Sequence, residues 1–381
     1  MSNPALIVSQ SGGLTPGLSA LVAQDYEPVS TLVTDRAENG RYYLSPATVA
    51  RIEERTSGTN ELAVIVDGVP HPGQLVDLRA RLQSISIVDK RRVAWDRLAG
   101  ANPVAATRIS LQDARITRRQ AVDAQRGAST QGPSDTSGQV ADSDERIQTL
   151  RDRLEQQQAA ARRRVRTGHT AVDARIVLLG GVGAQTTPLW SELTGHEATA
   201  EVGLPARPAT AQTVVGPHTV AVTDTPDILG DDGLPEWLEN VVPGLVTAIA
   251  QSTCVLGVGE GHEALLQSVA DRFDVSYRSL AEADAVTARM VLDDLLPSVT
   301  CAIRLPYGDD TQALVSDLYD RAVVDATEYD DAIYMRLNVA RTAIDELRRQ
   351  VLAVGGELKR LDTSESVDRT SSESSSVSEE N

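Results

Sequence analysis

The chain has very little lysine and phenylalanine. Lys90 and Lys359 are its only lysines and Phe273 is its only phenylalanine, so the other basic residues are arginines. No run approaches the roughly 20 apolar residues that a membrane-spanning helix needs. No basic segment followed by an apolar stretch marks a secretory signal at the N-terminus. We therefore expect a soluble, cytoplasmic protein with no membrane partner.

Cysteine is also scarce. Cys254 and Cys301 each lie inside an apolar run, which is typical of small buried hydrophobic residues and not of a disulfide or a metal pair. The histidines form no HxxxH pair, no CxxC accompanies them, and no GxSxG motif is present. We expect each histidine to be a surface or loop residue and not a metal ligand. The histidines are His71, His169, His196, His218 and His262.

Acidic residues outnumber basic residues, and the formal net charge is -18. Such a surplus of carboxylates favours an acid-rich, salt-adapted proteome, although an ordinary acidic cytosolic protein has a similar composition. It also argues against a general polyanion-binding surface, so we expect no DNA partner and consider each basic segment separately.

The first hundred residues alternate short β-branched apolar runs with amphipathic patterns. This alternation predicts an α/β fold with a largely parallel sheet, and we place the first domain at residues 1–100. Strands are expected at 4–8, 62–66 and 85–88, and helices at 46–54 and 73–83.

A helical hairpin is predicted next, at residues 101–168. A polar helical pattern covers 105–123, and a second segment rich in helix formers covers 144–166. Between them the sequence at 127–143 is rich in Gly, Ser and Asp and loses all apolar periodicity. We therefore predict a flexible loop there.

Residues 170–298 predict a second α/β domain, and residues 299–360 a small α+β domain. A Ser/Glu-rich tail at 361–381 has the composition of a disordered segment. Within the second α/β domain, strands are expected at 175–179, 219–224 and 254–258, and helices near 187–194, 235–250, 262–272 and 281–296.

The most informative segment is RIVLLGGVGAQTTPLWSELTG, from Arg175 to Gly195. It has the strand–loop–helix arrangement of a phosphate-binding P-loop, GxxxxGK[ST], whose backbone N–H groups face an anion. Gly180 holds the first glycine position, Gln185 the second, Thr186 the lysine position and Thr187 the hydroxyl position. The candidate site comprises Gly180, Gly181, Val182, Gly183, Ala184, Gln185, Thr186, Thr187 and, at the end of a later strand, Asp224.

Each feature also has a purely structural interpretation. The glycines also suit a tight strand-to-helix turn with no ligand. Thr187 would then be a hydroxyl at a helix N-terminus, and Asp224 a solvated strand end. Another glycine turn, Gly257 to Gly261, follows an apolar strand as in a dinucleotide site, but its glycine spacing is wrong and Glu260 would face the pyrophosphate.

Several motifs occur in the order found in the HflX family of ribosome-associated GTPases, which the chain resembles up to about residue 355. GGVGAQTTPLWSELTG resembles the family's GYTNAGKSTLFNALTG, and TDTPDI at 223–228 resembles TDTVGFI. Residues 61–99 resemble the stretch leading into the family's hairpin. The family's glycine-rich hairpin loop is weakened here to Gly127, Gly132, Pro133, Ser134 and Asp135.

The sequence departs from the family pattern at the positions that would contact the nucleotide. Thr186 replaces the lysine, Gln185 replaces the second glycine, and Asp227 replaces the glycine of DxxG, where an acid would face a γ-phosphate. The guanine-reading NKxD sequence and the strand that carries it have no counterpart. We therefore identify the chain as a degenerate, haloarchaeal-type member in which hydrolysis is lost.

The resemblance implies a monomer that binds the large ribosomal subunit through rRNA. The cofactor would be GTP or GDP with magnesium held by Thr187 and Asp224, if any nucleotide binds. Two alternatives stay open: an active GTPase that uses Arg175 or another arginine, and a dinucleotide-binding enzyme that uses Gly181, Gly183 or the Gly257 turn. Candidate RNA contacts are Arg162, Arg163, Arg164 and Arg166 at the end of the hairpin.

Overall fold

The computed structural model describes residues 3–57, 62–83, 85–128, 136–167, 172–197, 208–230 and 233–361. Within these ranges no helix is long and apolar enough to cross a membrane. The chain divides into two compact units. The larger comprises Met1–Thr170, Arg175–Ala211 and Val222–Ala285, and the smaller comprises the remaining residues. The sequence-based domain boundaries stay predictions.

The N-terminal sheet is parallel, in the order β2-β1-β3-β4. Its central strands are apolar on both faces because helices cover both sides, which confirms the predicted α/β class. Its elements are β1 (Asn3–Ser9), α1 (Leu18–Val22), β2 (Tyr26–Val33), α2 (Pro46–Thr56), β3 (Ala63–Asp67), α3 (Pro72–Arg81), β4 (Ile87–Asp89) and α4 (Lys90–Ala99).

Two long helices follow, α5 (Pro103–Ala128) and α6 (Thr136–Thr167), and they pack along each other. The predicted loop at 127–143 is wrong in its second half, because α6 already begins at Thr136. Residues 139–141, Gln-Val-Ala, suit a helix, and the Ser143 hydroxyl donates to the Gln139 carbonyl oxygen one turn earlier, at 2.7 Å. Residues 129–135 lie outside the described part of the chain.

The second sheet has the order β6-β7-β5-β8-β9. The helix expected at 235–250 is interrupted after Val241, because Pro243 has no N–H to donate and Gly244 takes a φ of 107°. The elements are β5 (Ala174–Gly180), α7 (Thr186–Thr194), β6 (Ala209–Val215), β7 (His218–Asp224), α8 (Glu236–Val241), α9 (Leu245–Ala250), β8 (Cys254–Val258), α10 (Glu263–Phe273), β9 (Ser276–Leu280) and α11 (Ala285–Leu295).

The C-terminal sheet is antiparallel, in the order β11-β12-β10-β13. In β12 most alternate residues are buried, which matches the apolar alternation of the sequence. The elements are β10 (Ser298–Leu305), α12 (Asp309–Arg321), β11 (Val323–Tyr329), β12 (Ile333–Ala340), α13 (Ile344–Ala353) and β13 (Glu357–Arg360). The predicted tail, apart from residue 361, lies outside the described residues.

Candidate nucleotide site

The loop between β5 and α7 keeps the backbone shape of an anion-binding turn although its second glycine is missing. Gly183 has a φ of 89°, and Gln185 has a φ of 61° in the left-handed region that favours glycine. Gln185 is also the N-cap of α7, and its side chain makes no capping hydrogen bond. A glutamine therefore adopts a glycine conformation, at a cost of about 1 kcal/mol.

Two glycines of the loop are closely approached by neighbouring residues. A Cβ on Gly180 would lie 2.4 Å from the Cβ of Ala184, and one on Gly181 would lie 2.1 Å from Cε1 of His262. Both distances are far below van der Waals contact. These glycines therefore do not by themselves indicate a ligand, and the structural interpretation of the turn accounts for both.

His262 is a loop residue, as expected, and is the N-cap of α10. It is half-buried, with its imidazole against Gly181. His218 was expected to be a surface or loop residue, but it lies in strand β7 and is buried. His169 lies outside the described residues. Within the described residues, no group of three or more histidine, cysteine or acidic side chains is arranged to hold a metal ion.

Thr187 and Asp224, the two residues expected to hold magnesium, lie next to each other. The Thr187 hydroxyl donates to Oδ2 of Asp224 at 2.6 Å. Asp224 is 1% exposed, so it is not a solvated strand end. Burial raises the pKa of Asp224 to about 6, and the hydrogen bond from Thr187 opposes that rise.

Two buried oxygens at this site lack a hydrogen bond of ordinary geometry: Oδ1 of Asp224 and the hydroxyl of Thr186, the residue at the lysine position. The two side chains nevertheless lie close together, because Thr186 lowers the pKa of Asp224. The hydroxyl of Thr186 supplies no positive charge for a phosphate.

Asp227 occupies the anion-binding face of the loop. The Gly183 N–H donates to Oδ2 of Asp227 at 3.0 Å, and the side chain is largely buried. Burial raises the pKa of Asp227 to about 7, the bond from Gly183 opposes the rise, and the charge of Asp224 adds to it. The sequence predicted an acid facing a γ-phosphate; the structure shows that acid bonded to the loop itself.

The segment from Asp224 to Gly230 is fixed on two sides. Towards β5, the Ile228 N–H donates to the Gly180 carbonyl oxygen at 2.8 Å, and the Thr225 hydroxyl donates to the Leu178 carbonyl oxygen at 2.7 Å. Towards the N-terminal sheet, the Gly230 N–H donates to the Pro16 carbonyl oxygen at 3.1 Å. Asp227 is thus held on the loop by its neighbours as well as by its own hydrogen bond.

These residues do not fit a nucleotide phosphate in this arrangement. A P-loop offers free backbone N–H groups and a lysine to the phosphates, whereas here the Gly183 N–H is bonded to Asp227 and Thr186 stands at the lysine position. The Thr187–Asp224 pair alone retains the side chains that a magnesium ion would require. No catalytic step follows from this geometry.

A strand does lie where none was expected. β9 follows α10 and pairs parallel with β8, with Leu280 opposite Val258. The prediction that the chain lacks a strand at this point was therefore wrong. The sequence after β9 is Ala281-Glu282-Ala283-Asp284, so the Asn-Lys-x-Asp motif is still absent.

The glycine turn after β8 is also explained by packing. Gly259 and Gly261 have φ values of 90° and 80°, and a Cβ on Gly257 would lie 2.1 Å from Cδ1 of Leu266 in α10. The turn brings His262 against the β5–α7 loop. Nothing in this geometry favours a dinucleotide over a simple strand-to-helix connection.

The arginines at the end of α6 lie on the surface. Arg162, Arg163 and Arg164 are exposed, and the side chain of Arg166 lies outside the described residues. The apolar face of this helix end packs against the α8–α9 region: a Cβ on Gly244 would lie 2.7 Å from Cγ2 of Val165. The helix end is thereby fixed while its arginines face solvent.

Comparisons with known proteins give weak similarity. No protein-family model matches the chain, and no curated protein sequence matches it. Among solved structures, the chain is similar to SsGBP in complex with GDP, with 15% identity over 77% of this chain and 87% of that chain and a TM-score of 0.40. It is also similar to a GTP-binding protein from the hyperthermophilic archaeon Sulfolobus solfataricus in complex with GDP, with 16% identity, coverage of 77% and 88%, and a TM-score of 0.37. Similarity at this level carries no argument about activity.

Proposed function

We propose that this chain is a cytoplasmic pseudo-GTPase of the HflX type, a monomeric binding factor for the large ribosomal subunit. The hydrogen bond from the Gly183 N–H to the Asp227 carboxyl group is the observation that supports the loss of GTPase function. The chain's own carboxyl group occupies the place where a P-loop presents an N–H group to phosphate.

Nucleotide binding is disfavoured by three features that act together. A phosphate must displace the Asp227 carboxylate, it meets Thr186 in place of a lysine, and nearby Asp224 is a second acid. Removing a single donor from a catalytic anion site costs about 3–4 kcal/mol of transition-state stabilisation. We therefore propose that the fold presents binding surfaces and does not hydrolyse GTP.

The ribosomal partner is proposed from the sequence resemblance and from the exposed arginines at the end of α6. Arg162, Arg163 and Arg164 face solvent on a helix whose other face is packed. Guanidinium groups suit RNA phosphates because their planar donors match two phosphate oxygens at once.

Titration with fluorescent GDP and GTP, with and without magnesium, tests the nucleotide half. We expect no saturable binding to the wild-type chain and measurable binding to Asp227→Gly, in which the Gly183 N–H is released. Magnesium-dependent binding to the wild-type chain that is lost in Asp224→Ala would instead establish the alternative, an active site with a non-standard P-loop.

Co-sedimentation with purified large ribosomal subunits tests the partner half. We expect the wild-type chain in the subunit fraction without added nucleotide, and reduced recovery for the triple variant R162Q/R163Q/R164Q. Three exposed arginines of the C-terminal unit, changed in R321Q/R348Q/R349Q, provide a control with the same charge change. Absence of the wild-type chain from the subunit fraction at every salt concentration overturns this half.

A further inference from the structure

The outer edge of β11 (Val323–Tyr329) is open to solvent. β11 is the first strand in the order β11-β12-β10-β13, and within the described residues it pairs with β12 alone. Most of its residues are exposed. A bulge interrupts the strand between Val324 and Ala326, so its regular part runs from Ala326 to Tyr329. An edge of this kind carries backbone N–H and C=O groups that can bond to one further strand.

Exposed aromatic side chains surround this edge. They are Tyr307, Tyr319 and Tyr329, which are 56%, 52% and 63% exposed. Tyr329 is the last residue of β11, and the Tyr319 hydroxyl lies 2.8 Å from Oγ1 of Thr327 in the same strand. The Tyr307 hydroxyl donates to the carbonyl oxygen of Asp330, the residue after β11, at 3.1 Å. We call β11 and these three tyrosines the tyrosine edge.

The location of these tyrosines is not explained by composition. Aromatic residues make up only 3% of the chain, and every other tyrosine, phenylalanine and tryptophan in the described ranges is buried or half-buried. Tyrosine offers a large, rigid contact surface with a polar end, and it is enriched where proteins bind one another. Three exposed tyrosines around one open strand therefore indicate a surface that another chain covers.

Acidic residues decide the charge of that partner. Four exposed acids lie within three residues of a tyrosine of the edge: Asp309, Asp310, Glu328 and Asp330. The ion pairs within the described part of this domain involve other acids. Acids are common on a chain of net charge -18, and those at the start of α12 also suit the helix dipole, so they do not define a site alone. Beside exposed tyrosines, they favour a basic partner.

The same domain already holds one of its own arginines in this manner. The Arg304 guanidinium lies 5.8 Å from the centroid of the Tyr334 ring and donates to Oδ2 of Asp331 at 3.0 Å. A cation over a tyrosine ring with a carboxylate beside it is the contact that an arginine of a partner can make with Tyr329 and its acidic neighbours. A second copy of the chain fits less well, because pairing β11 with itself brings the same acids together.

We propose that the tyrosine edge binds an extended, basic segment of another polypeptide. The segment adds to the C-terminal sheet as a strand, with its backbone bonded to β11. Its arginine or lysine side chains lie over the tyrosine rings and against the acids. The site is independent of the β5–α7 loop and of the arginines at the end of α6, so it goes beyond the proposed function.

Fluorescence anisotropy on the full chain tests the proposal with three labelled peptides of about ten residues, enough to cover an edge strand. The first alternates arginine and valine. The second has glutamine in place of arginine, which removes the charge. The third keeps the arginines, but its backbone amides are N-methylated and cannot donate to β11.

Two variants and two matched controls locate the binding. Tyr329→Ser removes an exposed ring, and Leu352→Ser removes a similarly exposed side chain from α13, at 61% exposure. E328Q/D330N removes two charges beside Tyr329, and D345N/E357Q removes two exposed charges at the start of α13 and on β13. All these side chains are exposed or at the surface, so thermal unfolding should show unchanged stability.

We expect saturable binding of the arginine–valine peptide, and about a tenfold or greater loss for the glutamine and N-methylated peptides. Tyr329→Ser should weaken binding about two- to fivefold, as expected for an exposed cation–aromatic contact. E328Q/D330N should weaken it by more than its control does. Hydrogen exchange of the β11 amides should slow when the peptide is bound.

Four results overturn the proposal. The first is no saturable binding of the arginine–valine peptide at any salt concentration. The second is equal binding of the N-methylated peptide, which excludes strand addition. The third is an equal effect of each variant and its control, which shows that the tyrosine edge is not the site. The fourth is a dimer in light scattering that the peptide does not dissociate, which assigns the edge to a second copy.

Discussion

Thr187 donates its hydroxyl proton to Oδ2 of Asp224 at 2.6 Å; Asp224 is buried and Thr187 is half-buried. The two side chains that would approach magnesium are bonded to each other instead. The bond favours the charged carboxylate, whereas burial disfavours it by more, so the pKa of Asp224 is about 6.

Replacing Thr187 with valine should therefore raise the pKa of Asp224 further and lower the free energy of unfolding. A buried carboxylate oxygen that loses its donor costs about 1–3 kcal/mol. Urea denaturation at about pH 8, where Asp224 is ionised, measures the loss. Thr187→Ser keeps the hydroxyl and should keep most of the stability; a valine variant as stable as the wild-type chain would contradict the role of this bond.

Stability should also depend on pH through Asp224 and Asp227. Their pKa values of about 6 and about 7 lie above the ordinary value of 3.8. The folded chain therefore binds protons more tightly than the unfolded chain. The contribution of these carboxyls is fully present below about pH 4 and is lost as the pH rises through 6 and 7, a change on the order of a few kcal/mol.

Urea denaturation at about pH 5 and about pH 8 checks this direction. Asp224→Asn and Asp227→Asn each remove one titrating group, so the double variant should lose less stability between the two pH values than the wild-type chain. An equal difference for both proteins would show that other groups are responsible.

The contact between Gly181 and His262 predicts a compensating pair of substitutions. Gly181→Ala places a Cβ 2.1 Å from the imidazole and should cost about 1–3 kcal/mol through overpacking. His262→Ala removes the obstacle, so the double variant should recover much of the loss. Thermal unfolding of the four proteins in a double-mutant cycle measures the coupling; strictly additive effects would count against the contact.

Only one of the two lysines should matter for stability. Nζ of Lys90 lies 3.0 Å from Oδ1 of Asp67, whose side chain is 1% exposed, and donates to the Thr15 hydroxyl at 2.7 Å. Lys90→Met leaves that carboxylate uncompensated and should cost about 3–5 kcal/mol. Lys359→Met, at an exposed position of β13, serves as the control and should change the free energy of unfolding little.

The sequence was most informative where local pattern decides structure. The apolar strand before Gly180, the glycine turn and α7 follow from residues close together in the chain, and so does β7 up to Asp224. The break after Val241 was also readable, since Pro243-Gly244 is a strong stop signal that the amphipathic pattern on either side obscured.

Strands with weak apolar patterns were not predictable. β2 (Tyr26–Val33) is mostly exposed and contains Pro28, and β9 (Ser276–Leu280) buries only its last residue. Both form because a central strand, β1 or β8, supplies the hydrogen-bonding partner. Pairing of this kind depends on tertiary structure, which a reading of local pattern does not contain.

The hydrogen bond between Gly183 and Asp227 also depends on tertiary structure. The residue types at 183 and 227 are visible in the sequence, but the hydrogen bond between them joins positions 44 residues apart. The sequence indicated that an acid had replaced a glycine. Only the folded chain shows that this acid accepts a hydrogen bond from the loop.

The attachment of Gly230 to Pro16 has a consequence for how the protein unfolds. Leu229 packs in one apolar cluster with Leu18 and Ala94, and Val182 of the loop packs against that cluster. Residues from the first hundred and residues of the loops that follow β5 and β7 thus share one hydrophobic cluster. Cutting the chain near residue 100 would expose this shared cluster to water, so we expect the first hundred residues to unfold together with the segments that carry Val182 and Leu229.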